Sequence, residues 1–314
     1  MPVYNRTQFI NEAIHSLLNQ EYGNIEVIII DDGTEIDIEN FIKKKCFSNK
    51  IKFFHKSHTG LSDSLNEGIC RASGEYLVFL DDDDLLHPLM ILTCINIAQN
   101  TNVDMVAVGY EYFKGSKNSF QAINHQPIIT DIPDILSQLT SKNLFPVNTI
   151  LIRKNIIESV GAFDTQMNSC MDWDLWLRII ARGAKLAIIK ENLSFIRIHG
   201  NNMSKNESLM HEGRLEVLRH AEQYMTSKQK RNINLKQKIT MRMLVAGWYI
   251  LLYKSPIEGR KIISSAALKN ILLFIPSVTL LCISFFPIKL LQKFTHLCEF
   301  ILKRQNIYCT AQCR

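Results

Sequence analysis

An α/β chain with a doubly wound, mostly parallel sheet and a helical C-terminal extension is what this sequence predicts. Three observations carry that prediction. Short apolar β runs alternate with segments of helical period along the first 110 residues. Two of those runs end abruptly in acids: residues 25–30 lead into Asp31-Asp32, and residues 76–80 into Asp81-Asp82-Asp83-Asp84. After residue 204 the strand pattern stops and the chain stays helical and basic.

The elements follow in order. Residues 1–5 read as a turn. Phe9, Ile10, Ala13, Ile14, Leu17 and Leu18 recur at helical spacing and predict a helix over 6–20. The strand at 25–30 is followed by a weak helix near 36–46 and a strand near 51–55. Leu61, Leu65 and Ile69 line one face of a helix that Ser73-Gly74 stops. The strand at 76–80 comes next. Pro88, tolerated at a helix start, opens a helix to about 99, and 103–110 is a strand. Short links between these units predict right-handed crossovers and a parallel sheet. Beyond them, 115–126 reads as a loop and 132–139 as a helix. A strand at 148–152, a short helix over 153–160 and a helix over 172–181 follow. Strands at 184–189 and 193–198 end the α/β part. The organisation is therefore a domain over 1–204 and a basic helical region over 205–314.

Composition limits the possibilities. The chain has 314 residues, 46% of them hydrophobic and 21% charged, enough for a large core and too little charge for wholesale disorder. The net charge of +6 divides unevenly, −6 over the first 200 residues and +12 over the rest. The basic part suits phosphate or anionic lipid. Eight scattered cysteines without a CxxC pair read as reduced thiols, and no signal-peptide pattern opens the sequence, so a cytoplasmic location is expected.

Four adjacent carboxylates at a strand end repel one another unless a cation or strong hydrogen bonds hold them. In open α/β sheets ligands bind at the carboxyl ends of strands, and hard divalent cations take carboxylate and phosphate oxygens. The alternatives are a metal–phosphate site and a solvated acidic turn. Asp172 and Asp174 flank Trp173 at a helix start, as an ordinary cap or as a general base. Trp173 and Trp176 could form a sugar surface or core, with core favoured for Trp176. His199, between a strand and Gly200, is either structural or a metal or phosphate ligand.

Together these residues resemble family 2 glycosyltransferases of the GT-A fold. The motifs, in order, are Pro2-Val3-Tyr4-Asn5, Glu26 to Thr34, Gly60-Leu61 with Asn66 and Gly68, and Ala72 to Tyr76. Leu80 to Asp84 with Pro88, Gly161 to Asp164, and Asp172 with Leu175 to Arg178 complete the set. The match runs from Pro2 to about Ser204. It implies an inverting, Mn²⁺- or Mg²⁺-dependent transfer of a sugar from a nucleoside-diphosphate donor, expected to be a UDP-sugar, to a hydroxyl of a glycan or lipid-linked acceptor. Carried over residue by residue, Tyr4 and Asp32 contact the nucleotide, with Asp81 and Asp82 on its sugar side. Asp83, with His199, holds the metal, and Asp172 is the catalytic base. Two positions depart from the family pattern: Met171 precedes the base where an acid is usual, and Ser64 stands where an arginine is frequent. The family's first strand is expected ahead of Pro2, implying a start internal to a longer reading frame or a fragment. The alternatives are a non-catalytic nucleotide- or partner-binding protein derived from a truncated glycosyltransferase, and a nucleotidyltransferase. The latter is disfavoured because no glycine-rich basic triphosphate loop appears. No nucleic-acid partner is expected.

The C-terminal region leaves three readings open. Residues 270–288 carry no charge, near the length of a membrane span, although Pro276 and Pro287 interrupt them. The region over 228–304 could instead lie on an anionic inner membrane surface, or form core or interface helices.

Overall fold

The computed structural model describes the chain except residues 46–47, 118–128, 131–133, 201, 270–273, 290, 294 and 296–314. The chain packs as two compact units. The first comprises Met1–Lys205 and His220–Ile233, the second Asn206–Arg219 and Asn234–Arg314.

In the first unit, β1 (Pro2–Val3), β2 (Val27–Asp32) and β3 (Ile51–Lys56) form a wholly parallel sheet in that order, with α1 (Ile10–Leu18) and α2 (Ile38–Lys45) as crossovers. Residues 1–5, expected as a turn, thus include a strand. Proline is tolerated as its first residue because no ladder bond needs its missing N–H. The flanking bonds run through Met1, whose nitrogen donates to the Ile28 carbonyl at 2.8 Å and whose carbonyl accepts from the Ile30 N–H at 3.0 Å.

After α3 (Leu61–Arg71), a second sheet gathers β4 (Tyr76–Val78), β5 (Leu85–Leu86), β6 (Met105–Phe113), β7 (Ile129–Thr130), β8 (Ile150–Arg153) and β9 (Leu186–Arg197). Its order is β4-β8-β6-β9-β5, with β7 against β9. Here, among the described residues, only β6 and β9 pair parallel, with β8 inserted antiparallel between β4 and β6. The doubly wound α/β layout stands, with continuous parallel pairing confined to the first sheet. A cavity of about 280 Å³ lies between β2 and β4, lined by Ile28, Leu77, Leu80 and Ile95 together with Glu26 and Glu75.

The two strands expected at 184–189 and 193–198 are one. The polar run Lys190-Glu191-Asn192 is absorbed by register shifts opposite Gly109. A Cβ on Gly109 would stand 2.5 Å from the Lys190 carbonyl oxygen and 2.8 Å from that of Glu191. Backbone cannot yield as a side chain can, so Gly109→Val should destabilise the unit by about 3 kcal/mol. A lowered urea midpoint with an unchanged slope is the expected reading.

The core of this unit follows the helical periodicities. Ile10, Ile14 and Leu17 of α1 join Met90, Ile91, Cys94 and Ile95 of α4 (Met90–Thr101) in one buried cluster with Ile29, Leu80 and Leu86. After α4 come α5 (Ile135–Leu139), α6 (Lys154–Val160) and α7 (Met171–Ala181). Trp173 and Trp176 of α7 are both core. Their indole N–H groups donate to the carbonyls of Leu139 at 2.5 Å and Phe145 at 2.9 Å, which satisfies a buried donor in each case.

Beyond lie α8 (Glu207–Tyr224), α9 (Ser227–Asn232), α10 (Leu235–Tyr253), α11 (Pro256–Lys269) and α12 (Phe274–Ile283). In the second unit α10 and α11 cross closely at two glycines. A Cβ on Gly259 would meet the Gly247 carbonyl oxygen at 2.5 Å. Among the described residues no helix is long and apolar enough to cross a membrane. Of the uncharged stretch 270–288, the first four residues lie outside the described part, and α12 is only ten residues long.

Candidate active site

The chain leaves β4 through Phe79 and Leu80, both in the core, and then turns at the acids. The hydrophobic pair anchors the turn and draws the carboxylates inward. Asp82, Asp83 and Asp84 are buried, and oxygens of Asp81, Asp83 and Asp84 all lie within 4.8 Å of one another. Burial first, and then the charges of neighbouring acids, pushes Asp81 and Asp84 well above the ordinary carboxylate range; burial does the same to Asp82 against the pull of Arg6. Such a set of oxygens fits a hard divalent cation, whose own charge would reverse these shifts.

Side chains distant in sequence supply counter-charge. Arg6, just past β1, donates from Nη1 to Asp82 Oδ1 at 2.9 Å and to Asp83 Oδ2. His199 Nε2 meets the same Asp83 oxygen at 2.6 Å. Arg197 is 1% exposed, its guanidinium held between the rings of Phe9 and Phe113 at 4.4 and 4.5 Å. It donates from Nε to the Asp83 carbonyl at 2.7 Å and from Nη2 to Glu12 at 3.0 Å, while its backbone N–H donates to Asp84 Oδ1 at 2.8 Å. Asn148 donates to the other Asp84 oxygen at 2.8 Å. Asp84 is therefore a buried brace for the turn, not a solvated acid.

The first sheet builds a second cluster. Its register sets Asp31 opposite His55 and Asp32 opposite Lys56. Asp32 Oδ1 accepts from the Thr59 N–H at 3.0 Å and Lys56 Nζ at 3.3 Å; Oδ2 accepts from the Gly60 N–H at 2.9 Å and meets His58 Nδ1 at 2.8 Å. Burial acts upward on Asp32, but these bonds outweigh it and hold the group below its ordinary value. Tyr4 is 46% exposed and stacks on His58, ring centroids 4.0 Å apart and 15° from parallel.

Asp172 lies in the first turn of α7, after Cys170 takes a left-handed φ of 60°. Its Oδ1 accepts from the Trp173 N–H and its Oδ2 from Asn143 Nδ2, both at 2.8 Å. Burial raises its pKa against those two bonds, and its charge is among those that raise Asp81. Asp174, by contrast, is structural: it pairs with Arg178 at 2.7 Å, and Arg178 also donates to the carbonyls of Val160 and Ala162. Asn66 clasps the Phe163 backbone at both its N–H and its carbonyl, 2.9 and 2.8 Å. Ser64 bonds to the Gly60 carbonyl at 3.0 Å, and its hydroxyl is also among the hydrogen-bond partners that lower Asp32.

The structure thus gathers Asp81, Asp82, Asp83 and His199 in one cluster with Asp172 in electrostatic reach, and Tyr4 with Asp32 in another. Sequence reasoning missed Arg6, Arg197, Asn143, Asn148, Lys56 and His58. Only Lys56 carried a usable signal, since an ammonium one strand over from a strand-end acid, in parallel register, is bound to meet it.

Comparison with known proteins agrees with the fold and gives the family. The description "Glycosyl transferase family 2" matches residues 1–164. An uncharacterized glycosyltransferase of Rickettsia bellii is 33% identical over 215 residues, covering 68% of this chain and 31% of the relative. One from Rickettsia typhi is 32% identical over 202 residues, covering 63% of each. The chain therefore spans about a third of the first relative's length and somewhat under two thirds of the second's. Among solved structures, S. aureus TarS 1–349 in complex with UDP-GlcNAc superimposes with a TM-score of 0.63 at 14% identity, covering 85% of this chain and 79% of that one. The mannosyltransferase PcManGT from Pyrobaculum calidifontis, in complex with GDP-Man and Mn²⁺, gives 0.60 at 14% identity, covering 93% and 81%.

Proposed function

The chain belongs to glycosyl transferase family 2, and from that premise we propose that it moves a sugar, with inversion, from a UDP-sugar to a hydroxyl of a glycan or lipid-linked acceptor. One observation carries the reading. Asp172 is half-buried, has no cation among its hydrogen-bond partners in the described residues, and is oriented by Asn143 and the Trp173 N–H beside the acidic cluster. A carboxylate so held suits a general base.

In this mechanism Asp172 takes the proton of the acceptor hydroxyl as its oxygen forms a bond to the anomeric carbon. The bond to the diphosphate oxygen breaks on the opposite face, and the electron pair leaves with the diphosphate. A single displacement needs one carboxylate near the acceptor, whereas a retaining path uses a second as nucleophile. Asp83, with His199 and Asp81 beside it, would hold Mn²⁺ or Mg²⁺, which supplies charge neutralisation for the departing diphosphate. Arg197 and Asn148 keep the cluster's backbone and Asp84 in place. Tyr4 and Asp32 take the nucleotide base, and Asp82 with Asp81 lies toward its ribose.

The C-terminal region supports a meeting place with a lipid-linked acceptor. Phe285 and Phe286 are 73% and 58% exposed at the end of α12, with Lys289 just beyond and Arg260 over the Phe285 ring. Aromatic side chains flanked by cations suit an anionic membrane surface. Part of the 228–304 stretch lies outside the described residues.

The test is stereochemical. Incubation with a UDP-α-sugar, Mn²⁺ and a hydroxyl acceptor should give a β-linked product, read from its anomeric proton coupling by NMR. An α-linked product would overturn the single-displacement reading.

A further inference from the structure

The Tyr4–Asp32 cluster contains a group that nothing so far has used. His58 makes two contacts at once. Its imidazole lies on the Tyr4 ring at 4.0 Å and 15°, and its Nδ1 meets Asp32 Oδ2 at 2.8 Å, with the Asp32 carbonyl oxygen at 3.1 Å. These are the two approaches a planar heterocycle with a ring N–H makes: a stack and a ring nitrogen set against a carboxylate. We propose that His58 is a placeholder for the nucleobase. Donor binding expels the imidazole from Tyr4, and a base N–H takes its place on Asp32.

The accounting at Asp32 supports this. An ionised carboxylate offers about four lone-pair sites, and the Thr59 and Gly60 N–H groups, Lys56, the Ser64 hydroxyl and the His58 ring crowd around them. A base can bond Asp32 only by displacing one. The two backbone donors are fixed at the start of α3. Lys56 is tied a second time, to Asp63 and to Thr59, and its side chain is 19% exposed. The His58 side chain is 51% exposed, so it can turn into solvent. The backbone is built to keep it near: Gly33, at φ +81°, lies so close that a Cβ there would stand 2.8 Å from the His58 nitrogen.

The exchange also selects. It frees a single carboxylate oxygen, because Oδ1 stays with Thr59 and Lys56. One N–H then suffices, offered by a ring nitrogen beside a carbonyl. That pattern, an N–H next to a ring carbonyl, belongs to uracil and guanine; cytosine and adenine lack it at the ring nitrogen.

The proposal rests on the nucleoside-diphosphate reading above, and the test separates the two. Dissociation constants of UDP, GDP and CDP, each with Mn²⁺, are measured by calorimetry for the wild type and His58→Ala. Losing a competing hydrogen bond and stack should tighten UDP or GDP roughly three- to tenfold and leave CDP weak. On adding the nucleotide that binds, the wild-type His58 ring resonances should shift toward those of a solvated imidazole. Weaker or unchanged binding by the variant, with wild-type binding intact, overturns the placeholder and leaves the donor reading standing. An equal gain for CDP overturns it too. No binding of any nucleotide to either protein overturns both.

Discussion

Asp172→Asn should cut transfer roughly a thousandfold, the middle of the range for a lost general base, while donor affinity stays at the wild-type level. The amide keeps the volume of the carboxylate and can still accept from the Trp173 N–H, so the start of α7 should hold and the melting temperature with it. What is lost is the ability to take a proton. The pH dependence gives a second reading. Burial holds the Asp172 pKa above its ordinary 3.8, and the active form is the carboxylate. The rate should therefore be flat at higher pH and fall as pH drops through that raised value. Asn143 favours the charged form by donating to it. Asn143→Ala should move the acid limb upward in pH and leave the alkaline plateau largely intact. An Asp172→Asn enzyme with wild-type turnover, or an acid limb that ignores Asn143, would remove Asp172 from the mechanism.

The second large effect falls on Asp83. Asp83→Ala should weaken Mn²⁺-supported donor binding at least about a hundredfold, the range seen when a metal's supporting groups are removed. Stability should respond differently. In the cation-free protein Asp83 adds its charge to those already raising Asp81, Asp82 and Asp84, so its loss relieves repulsion while removing the bonds to Arg6 and His199. These oppose each other, and the apo protein should melt within a few degrees of the wild type. The melting-temperature rise that Mn²⁺ gives the wild type through binding the folded state should disappear. A variant still stabilised by Mn²⁺ to the same extent would place the ion elsewhere.

How far the sequence could be read depended on the range of the interaction. Helices α1, α4 and α7 were legible because their buried residues repeat at short spacing. The strand-end acids at 31–32 and 81–84 were legible because charge stops an apolar run. Two-residue strands such as β5 have too few residues to show a period, and the polar Lys190-Glu191-Asn192 run hid the continuity of β9, which depends on Gly109 some 80 positions earlier. The partners of the acids were hidden for the same reason. Arg6 and Asp83 are 77 residues apart and Arg197 and Asp83 are 114 apart; no local pattern links them. Trp173 was ambiguous because a buried indole and a sugar platform look alike in sequence. In the C-terminal region the described part of an uncharged run of span-like length contains a helix of ten residues, with Pro276 inside it.

The two arginines at the acidic cluster will answer differently to ionic strength. Arg6 has a third of its side chain in water, where mobile ions compete with its hold on Asp82 and Asp83. Arg197 is sealed between two phenylalanine rings, and dissolved salt reaches such a group weakly. Concentrated buffer should therefore loosen the mouth of the site while its floor keeps its shape. Salt becomes a dial for how readily the cluster opens to a cation, with no substitution made at all.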